Sequence, residues 1–243
     1  MMLINNHPSS DSHIAEEQLE FSLWQAIPDS RMAWLKSALD TISACSNIDE
    51  AINYFLRFSA MTRRTLGTAF VTSINQQSWH IDEASRLILL IKTLNTAPEN
   101  KRSEVLSNVY RQSDETEKQV IAKGLTIIDD GESVNLALAI GRTNNIELFS
   151  ALALSNPYPA RYYNDREFNQ LILKALFMEL DLRKTVGLQT RLNPSLSLLS
   201  LDLLKERLAA DRSPPATLSE AINLEDLSPT DQSLVNESVI STP

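Results

Sequence analysis

The amino-acid sequence predicts an all-α fold: an irregular array of antiparallel helix pairs, of the α-α superhelix or HEAT-like kind, with flexible termini. Three observations carry that expectation. The chain holds only 5 Gly in 243 residues, few for a β-rich protein or for phosphate-cradling loops. Between residues 16 and 212 the apolar residues return every three or four positions rather than in alternation. The polar connections between these runs are a few residues long, the spacing of neighbouring antiparallel helices. A compact bundle is the alternative packing, and no exact internal repeat assigns the chain to a repeat family.

The elements follow in order. Residues 1–15 read as a flexible leader, since Asn5, Asn6, Pro8, Ser9 and Ser10 offer turn chemistry and almost no core. Leu19, Leu23, Trp24 and Ile27 mark a first helical face, and Met32, Leu35, Leu39 and Ile42 a second. Asp49 and Glu50 open a third, with Ile52, Phe55, Leu56 and Ser59 on one side. Asp82 and Glu83 lead into Leu87–Leu94, and Asp114 and Glu115 into Val120, Ile121 and Leu125. Acids in a first turn complement the helix dipole. Asp129, Asp130 and Gly131 interrupt the chain before Val134–Ile140. The tail, residues 213–243, starts Ser213-Pro214-Pro215, lacks Lys and Arg, and reads as acidic and mostly disordered. Its Leu218, Ile222, Leu224 and Leu227 leave open a short helix docked on the body. One helical domain over residues 16–212 is therefore expected.

The net charge of -9 sits in the ends: five acids and no bases in residues 1–30, and the same in residues 213–243. The middle is nearly neutral, which argues against a broad nucleic-acid-binding face. Cys45 is the single cysteine, so neither an intrachain disulfide nor a multi-cysteine metal site is expected. The longest aliphatic run, Leu87-Ile88-Leu89-Leu90-Ile91, is far short of the roughly 20 residues of a membrane span. A soluble, cytoplasmic protein is expected.

Catalytic signatures are weak. His7 and His13 fall in the leader, and His80 beside Trp79 reads as a capping or packing residue. Cys45 reads as a small core residue, and Thr62-Arg63-Arg64-Thr65 as a solvated helix end. The acidic pairs Glu16-Glu17, Asp49-Glu50 and Asp129-Asp130 are all assigned to helix starts, with no metal implied. No HExxH, GxSxG, P-loop or GxGxxG pattern occurs. Neither a cofactor nor a catalytic residue is proposed from this reading.

The densest pattern runs from Gly141 to Arg212. Arg142-Thr143-Asn144 is followed by Asn156-Pro157-Tyr158-Pro159-Ala160-Arg161, where residues before proline are pushed from helical angles. A stiff, extended loop is expected, either a functional surface or a rigid connector with Tyr158 packed beneath it. Asn164-Asp165 caps a helix, Arg166–Leu180, whose apolar stripe is interrupted by Asn169 and Lys174. Asn169 is expected to find partners in the preceding loop or Arg161. Gly187 ends a short segment, and Asn193-Pro194 begins a last helix bearing Leu196, Leu199, Leu203 and Leu204. The loop is expected to pack on the Arg166–Leu180 helix and form one wall of a functional surface.

This string of motifs, continuing through Phe168-Asn169-Gln170-Leu171 to Glu206-Arg207, resembles the C-terminal region of the EboA family. The resemblance covers about a third of the chain well; over residues 16–140 only the helical pattern is compatible. It implies a metabolite-traffic protein, working beside a UbiA-like membrane prenyltransferase and other companions of its system. Such a set is linked to moving secondary-metabolite precursors toward the periplasm. It implies no catalytic residues.

Three functions compete. The first is a non-enzymatic helical adaptor or carrier, cytoplasmic or peripheral to the inner membrane through partners. Its candidate ligand- or partner-binding residues are Arg142, Asn144, Asn156, Tyr158, Arg161, Asn169, Lys174 and Arg191. The cations suit a carboxylate or a prenyl diphosphate, and Tyr158 an aromatic ring. The second is an isoprenoid-handling enzyme, for which Asp129-Asp130-Gly131-Glu132 is a poor copy of an aspartate-rich motif. The third is a structural scaffold.

Overall fold

Local rules set the helix starts. Asn47 accepts the Glu50 N–H at 2.9 Å at the head of one helix. Asp114 and Glu117 trade side-chain and backbone bonds in a capping box at another. The computed structural model describes residues 8–74, 76–129 and 131–240. Residues 1–7 of the leader, with His7, and Asp130 lie outside the described residues.

The protein is all-α, and the chain divides into two compact units, residues 1–137 and 138–243, rather than one domain over 16–212. The first unit contains α1 (Pro8–Ala26), α2 (Asp29–Ser43), α3 (Ile48–Ser59), α4 (Thr62–Leu66), a hairpin of β1 (Phe70–Ile74) and β2 (Gln77–His80), α5 (Ile81–Leu94), α6 (Arg102–Gln112) and α7 (Glu115–Ile128). The division falls within α8 (Val134–Ile140). The second unit holds α9 (Ile146–Ala153), α10 (Tyr158–Tyr162), α11 (Asp165–Phe177), α12 (Leu188–Arg191), α13 (Pro194–Ala209) and α14 (Pro229–Val235).

In the first unit α5 is buried on nearly every side, with Leu87, Leu89 and Leu90 fully enclosed. A helix with so many faces buried is the centre of its unit. α1, α2, α3, α4 and α7 all pack on it. α1 also reaches α7, so contacts are not confined to neighbouring repeats as in a helical stack. Gly124 of α7 permits the close approach of α7 to α5, because a Cβ there would collide with the Leu87 side chain. The core also encloses the Asp82–Arg86 ion pair at 3.0 Å.

Several expectations need correction here. α1 begins at Pro8, so the helix reaches back into the segment assigned to a leader. Glu16 and Glu17 consequently lie inside α1, not at its start. Asp129 follows α7 and accepts the N–H groups of Gly131 and Ser133, both at 3.0 Å. Cys45 is half-buried beyond α2 and donates to the Thr41 carbonyl. The antiparallel β1–β2 hairpin was unforeseen; Gln76 takes a positive φ of 67° in its turn. His80 heads α5, where its N–H donates to Glu83 at 3.1 Å. Burial pushes the Glu83 carboxyl up, but the Lys123 ammonium at 2.7 Å and bonds from Lys123 and His80 outweigh it. The carboxyl is held below its ordinary 4.5.

The tail departs most from expectation. Leu218, Ala221, Ile222, Leu227 and Val235 are buried in the second unit. The Thr217 hydroxyl accepts from the Leu182 N–H and donates to the Leu180 carbonyl, each at 3.2 Å. Ser197 of α13 donates to Asp226 at 2.7 Å and accepts from the Asn223 N–H at 3.0 Å. Few positive charges and a Pro-Pro start do not prevent docking when the leucines have a surface to cover.

Deleting residues 213–243 is therefore expected to lower the urea midpoint of the chain sharply or to prevent the second unit from folding. Each large aliphatic side chain lost from such a site is worth about 1.5–3 kcal/mol. An unchanged midpoint in the truncated protein would contradict the docked tail.

Candidate functional site

The site grows from the phase of α11. Asn164 caps this helix, accepting the Glu167 N–H at 3.0 Å while the Glu167 carboxylate accepts the Asn164 N–H. With the start fixed, Phe168, Leu171, Ile172, Ala175 and Leu176 turn inward. Glu167, Gln170, Leu171 and Lys174 stand at i, i+3, i+4 and i+7, one stripe along the helix. That stripe lines a cavity of about 300 Å³, completed by Leu138, Gly141, Arg142 and Tyr163.

Lys174 shapes the cavity floor. Its Nζ donates to the Gly141 carbonyl at 3.0 Å and the Thr143 carbonyl at 2.6 Å, just beyond the C-terminus of α8. A cation at helix-end carbonyls is favoured by the dipole. The ammonium also stands 5.2 Å from the centre of the Phe149 ring. Burial pushes its pKa below the ordinary 10.5. Arg142 is exposed at the rim of the same cavity. Tyr163 is 5% exposed, and its hydroxyl is enclosed without a hydrogen-bond partner. Burial first, and then the nearby Glu167 carboxylate, push the Tyr163 phenol up, so it stays protonated and able to donate.

Of the eight residues expected to bind, the structure brings Arg142 and Lys174 together at this cavity. The others do different work or lie elsewhere. Asn156 is 1% exposed; its side chain accepts the Tyr158 N–H at 3.0 Å and donates to the Ala151 carbonyl at 2.9 Å. The expected extended loop is a tight turn leading straight into α10, with Pro157 at helical angles. Tyr158 is fully buried, its ring 4.7 Å from that of Tyr162, and so offers no face to a ligand. Arg161 is exposed on α10 and Asn144 is exposed after α8; neither lines the cavity.

Asn169 does not pair with the loop or with Arg161. It exchanges two amide bonds with Asn193, at 3.1 and 3.0 Å, while Asn193 also caps α13 by accepting the Leu196 N–H at 3.0 Å. Arg191 is a clamp. Its guanidinium donates to the Pro159 and Ala160 carbonyls at 3.2 and 3.1 Å and to Asp165 at 2.7 Å, 4.4 Å above the Phe168 ring.

Tyr163, Glu167 and Gln170 were missed from sequence. The signal for two of them was present: the Asn164–Glu167 capping box fixes the phase of α11, and that phase aligns Glu167 and Gln170 with Lys174. Nothing in the sequence announces the buried, unpartnered hydroxyl of Tyr163. Among the described residues no group of three His, Cys, Asp or Glu is placed to hold a metal ion.

The architecture defines an all-helical protein whose second unit offers one small, cation-bearing polar cavity. The chain belongs to the EboA family, described as metabolite traffic protein EboA; the family model matches residues 15–223. The match takes in the first unit's helices and the docked tail as far as Asn223, well beyond the C-terminal motifs that carried the resemblance. Comparisons with curated proteins and with solved structures gave no match.

Replacing Asn169 by Leu is expected to destabilise the fold by about 1–3 kcal/mol, since the two amide bonds to the half-buried Asn193 that tie α11 to α13 would be lost. Urea unfolding of the variant measures this. A neutral or stabilising change would show that the Asn169–Asn193 pair does not hold α11 to α13.

Proposed function

We propose that this protein is a non-enzymatic carrier and adaptor in a metabolite-traffic system, and that the cavity on α11 holds the metabolite. The observation that carries this reading is the coincidence of two cations, Arg142 and Lys174, at one small cavity that Glu167, Gln170 and the Tyr163 side chain also line. At about 300 Å³ it sits at the small end of ligand pockets, which run from about 300 to 1,000 Å³. Leu138 and Leu171 are its aliphatic walls, too little surface for a long prenyl chain. The reading therefore favours a small polar precursor over an isoprenoid-linked one.

The adaptor half rests on exposed apolar side chains. Ile146, Phe177, Leu198 and Leu199 are all more than 40% exposed in the second unit. A protein partner would cover these side chains. Other proteins of the traffic system, a UbiA-like membrane prenyltransferase among them, are the proposed partners. No helix among the described residues is long and apolar enough to cross a membrane. The proposed place of action is the cytoplasmic face of the inner membrane, reached through partners, with the cargo passing toward the periplasm.

The test incubates the full chain with a small-molecule extract of its host and reads bound mass by native mass spectrometry. The wild type is expected to retain a metabolite and release it with its mass unchanged. Arg142→Gln is expected to retain at least about tenfold less. No retained species, or equal retention by the variant, would contradict the carrier; a released species of altered mass would point to an enzyme.

A further inference from the structure

The chain carries a net charge of -9, yet one stretch runs against that balance. Residues 51–81 hold Arg57, Arg63 and Arg64 and not one Asp or Glu. The stretch takes in most of α3, all of α4 and the β1–β2 hairpin, all within the first unit.

The fold gathers positive charge at the end of α4. The chain passes from α3 through Ala60 and Met61, both at right-handed helical angles, into α4. There Thr62 and Leu66 are buried while Arg63 and Arg64 are exposed. Arg31 of α2 is exposed too and reaches the same place, its guanidinium donating to the Leu66 carbonyl at 3.0 Å. A cation at a last helical carbonyl answers the dipole, so that bond is structural. It occupies one of five N–H donors and leaves the charge in place. Among the described residues the ion-paired arginines are Arg86, Arg183, Arg191 and Arg207, so none of these three has a carboxylate partner. Arg57 is set apart from them, since it shares a surface groove with Asp49 and Glu50.

An exposed ring follows at once. Gly67 turns the chain at a φ of 93°, and Thr68, Ala69 and Phe70 are all exposed, Phe70 at 58%. Four residues of chain keep Phe70 within about 14 Å of Leu66, where Arg31 is bonded. Three guanidinium groups without counter-ions and a bare phenyl ring thus stand on one uncharged corner of the unit. A bilayer surface satisfies both kinds of group: lipid phosphates take the cations, and the region beneath the headgroups takes the ring.

The neighbouring aromatic rings argue against a nucleic acid. Phe58 stacks on Tyr54 with ring centres 5.8 Å apart, and Trp34 meets Phe58 edge-on at 6.0 Å. These rings use one another's faces, whereas single-stranded bases need open ones. A protein partner would require its charges at fixed spacings. Three long, unpaired side chains from two helices suit a fluid layer of phosphates better. The acids elsewhere on the chain are repelled by such a layer, which orients the contact on this corner alone.

We infer that the corner formed by Arg31, Arg63, Arg64 and Phe70 is a contact site for an anionic lipid surface. This adds a direct membrane contact to the partner-mediated one proposed above. It does not depend on the α11 cavity, so the carrier reading survives its failure.

Co-sedimentation of the full chain with vesicles tests it. One set is phosphatidylcholine alone, the other phosphatidylcholine and phosphatidylglycerol in equal parts. The wild type is expected to bind the anionic vesicles at low salt, to release as salt rises, and to ignore the neutral ones. Arg63→Gln/Arg64→Gln should weaken binding at least about tenfold, and Arg63→Lys/Arg64→Lys should restore most of it. Phe70→Ser should weaken it about fivefold. Arg166→Gln/Lys184→Gln removes the same charge from exposed positions of the second unit and should change nothing. No binding by the wild type, equal binding by the Arg63→Gln/Arg64→Gln variant, or the same loss in the second-unit variant would overturn the inference. So would tighter binding of a single-stranded oligonucleotide at the same salt, which would make the corner a nucleic-acid site. Circular dichroism melts of the variants should match the wild type, because all the replaced side chains are exposed; a variant that melts early is replaced by its single substitutions.

Discussion

One ammonium group organises the second unit. Lys174 rises from an otherwise apolar stripe and closes on the Gly141 and Thr143 carbonyls. Those carbonyls lie where α8 ends, and helix ends leave acceptors that something must satisfy. The lysine ties the segment after α8 to α11 and lies in the lining of the cavity there. The same bond fixes Arg142, one residue beyond Gly141, at the cavity rim. An arrangement that serves the backbone thus also delivers two positive charges to one place.

The helices were legible because burial leaves a period. Leu19, Leu23 and Ile27 on α1, and Ile52 and Phe55 on α3, are all buried where the spacing put them. What the period does not carry is which helices meet. The unbroken apolar run Leu87–Ile91 was read as one more helix face; it is the centre of the first unit, enclosed on every side. The hairpin escaped because four and five residues are too few to show alternation against a helical background. The tail escaped for another reason. Leu218 and Ala221 belong to a tight 3-10 turn, whose spacing resembles neither strand nor helix, and charge composition is blind to a docking surface made elsewhere in the chain.

At the site, sequence reasoning found the charges and misjudged the polar neighbours. Asn156, Asn169 and Arg191 stand out as polar residues set among apolar ones, and each turns out to satisfy other groups: the turn before α10, the cap of α13, the carbonyls of α10. Buried polar groups are ordinarily paired, so conspicuousness alone is a poor guide to binding. More informative is incomplete pairing beside a cavity, since several other buried polar atoms among the described residues also lack a partner. Tyr163 shows this: its hydroxyl is enclosed, keeps its proton and meets no acceptor.

The central claim, that cargo binds beside Tyr163, is tested most directly by nuclear magnetic resonance of the chain labelled at tyrosine Cζ. There are 5 tyrosines, and Tyr163→Phe assigns the resonance in question. On adding host small-molecule extract, the Tyr163 signal is expected to move, as cargo packs against a side chain that lines the cavity, while those of Tyr54 and Tyr110 in the first unit stay in place. A bound metabolite that leaves Tyr163 unmoved, or that moves Tyr54 or Tyr110 instead, would contradict the account.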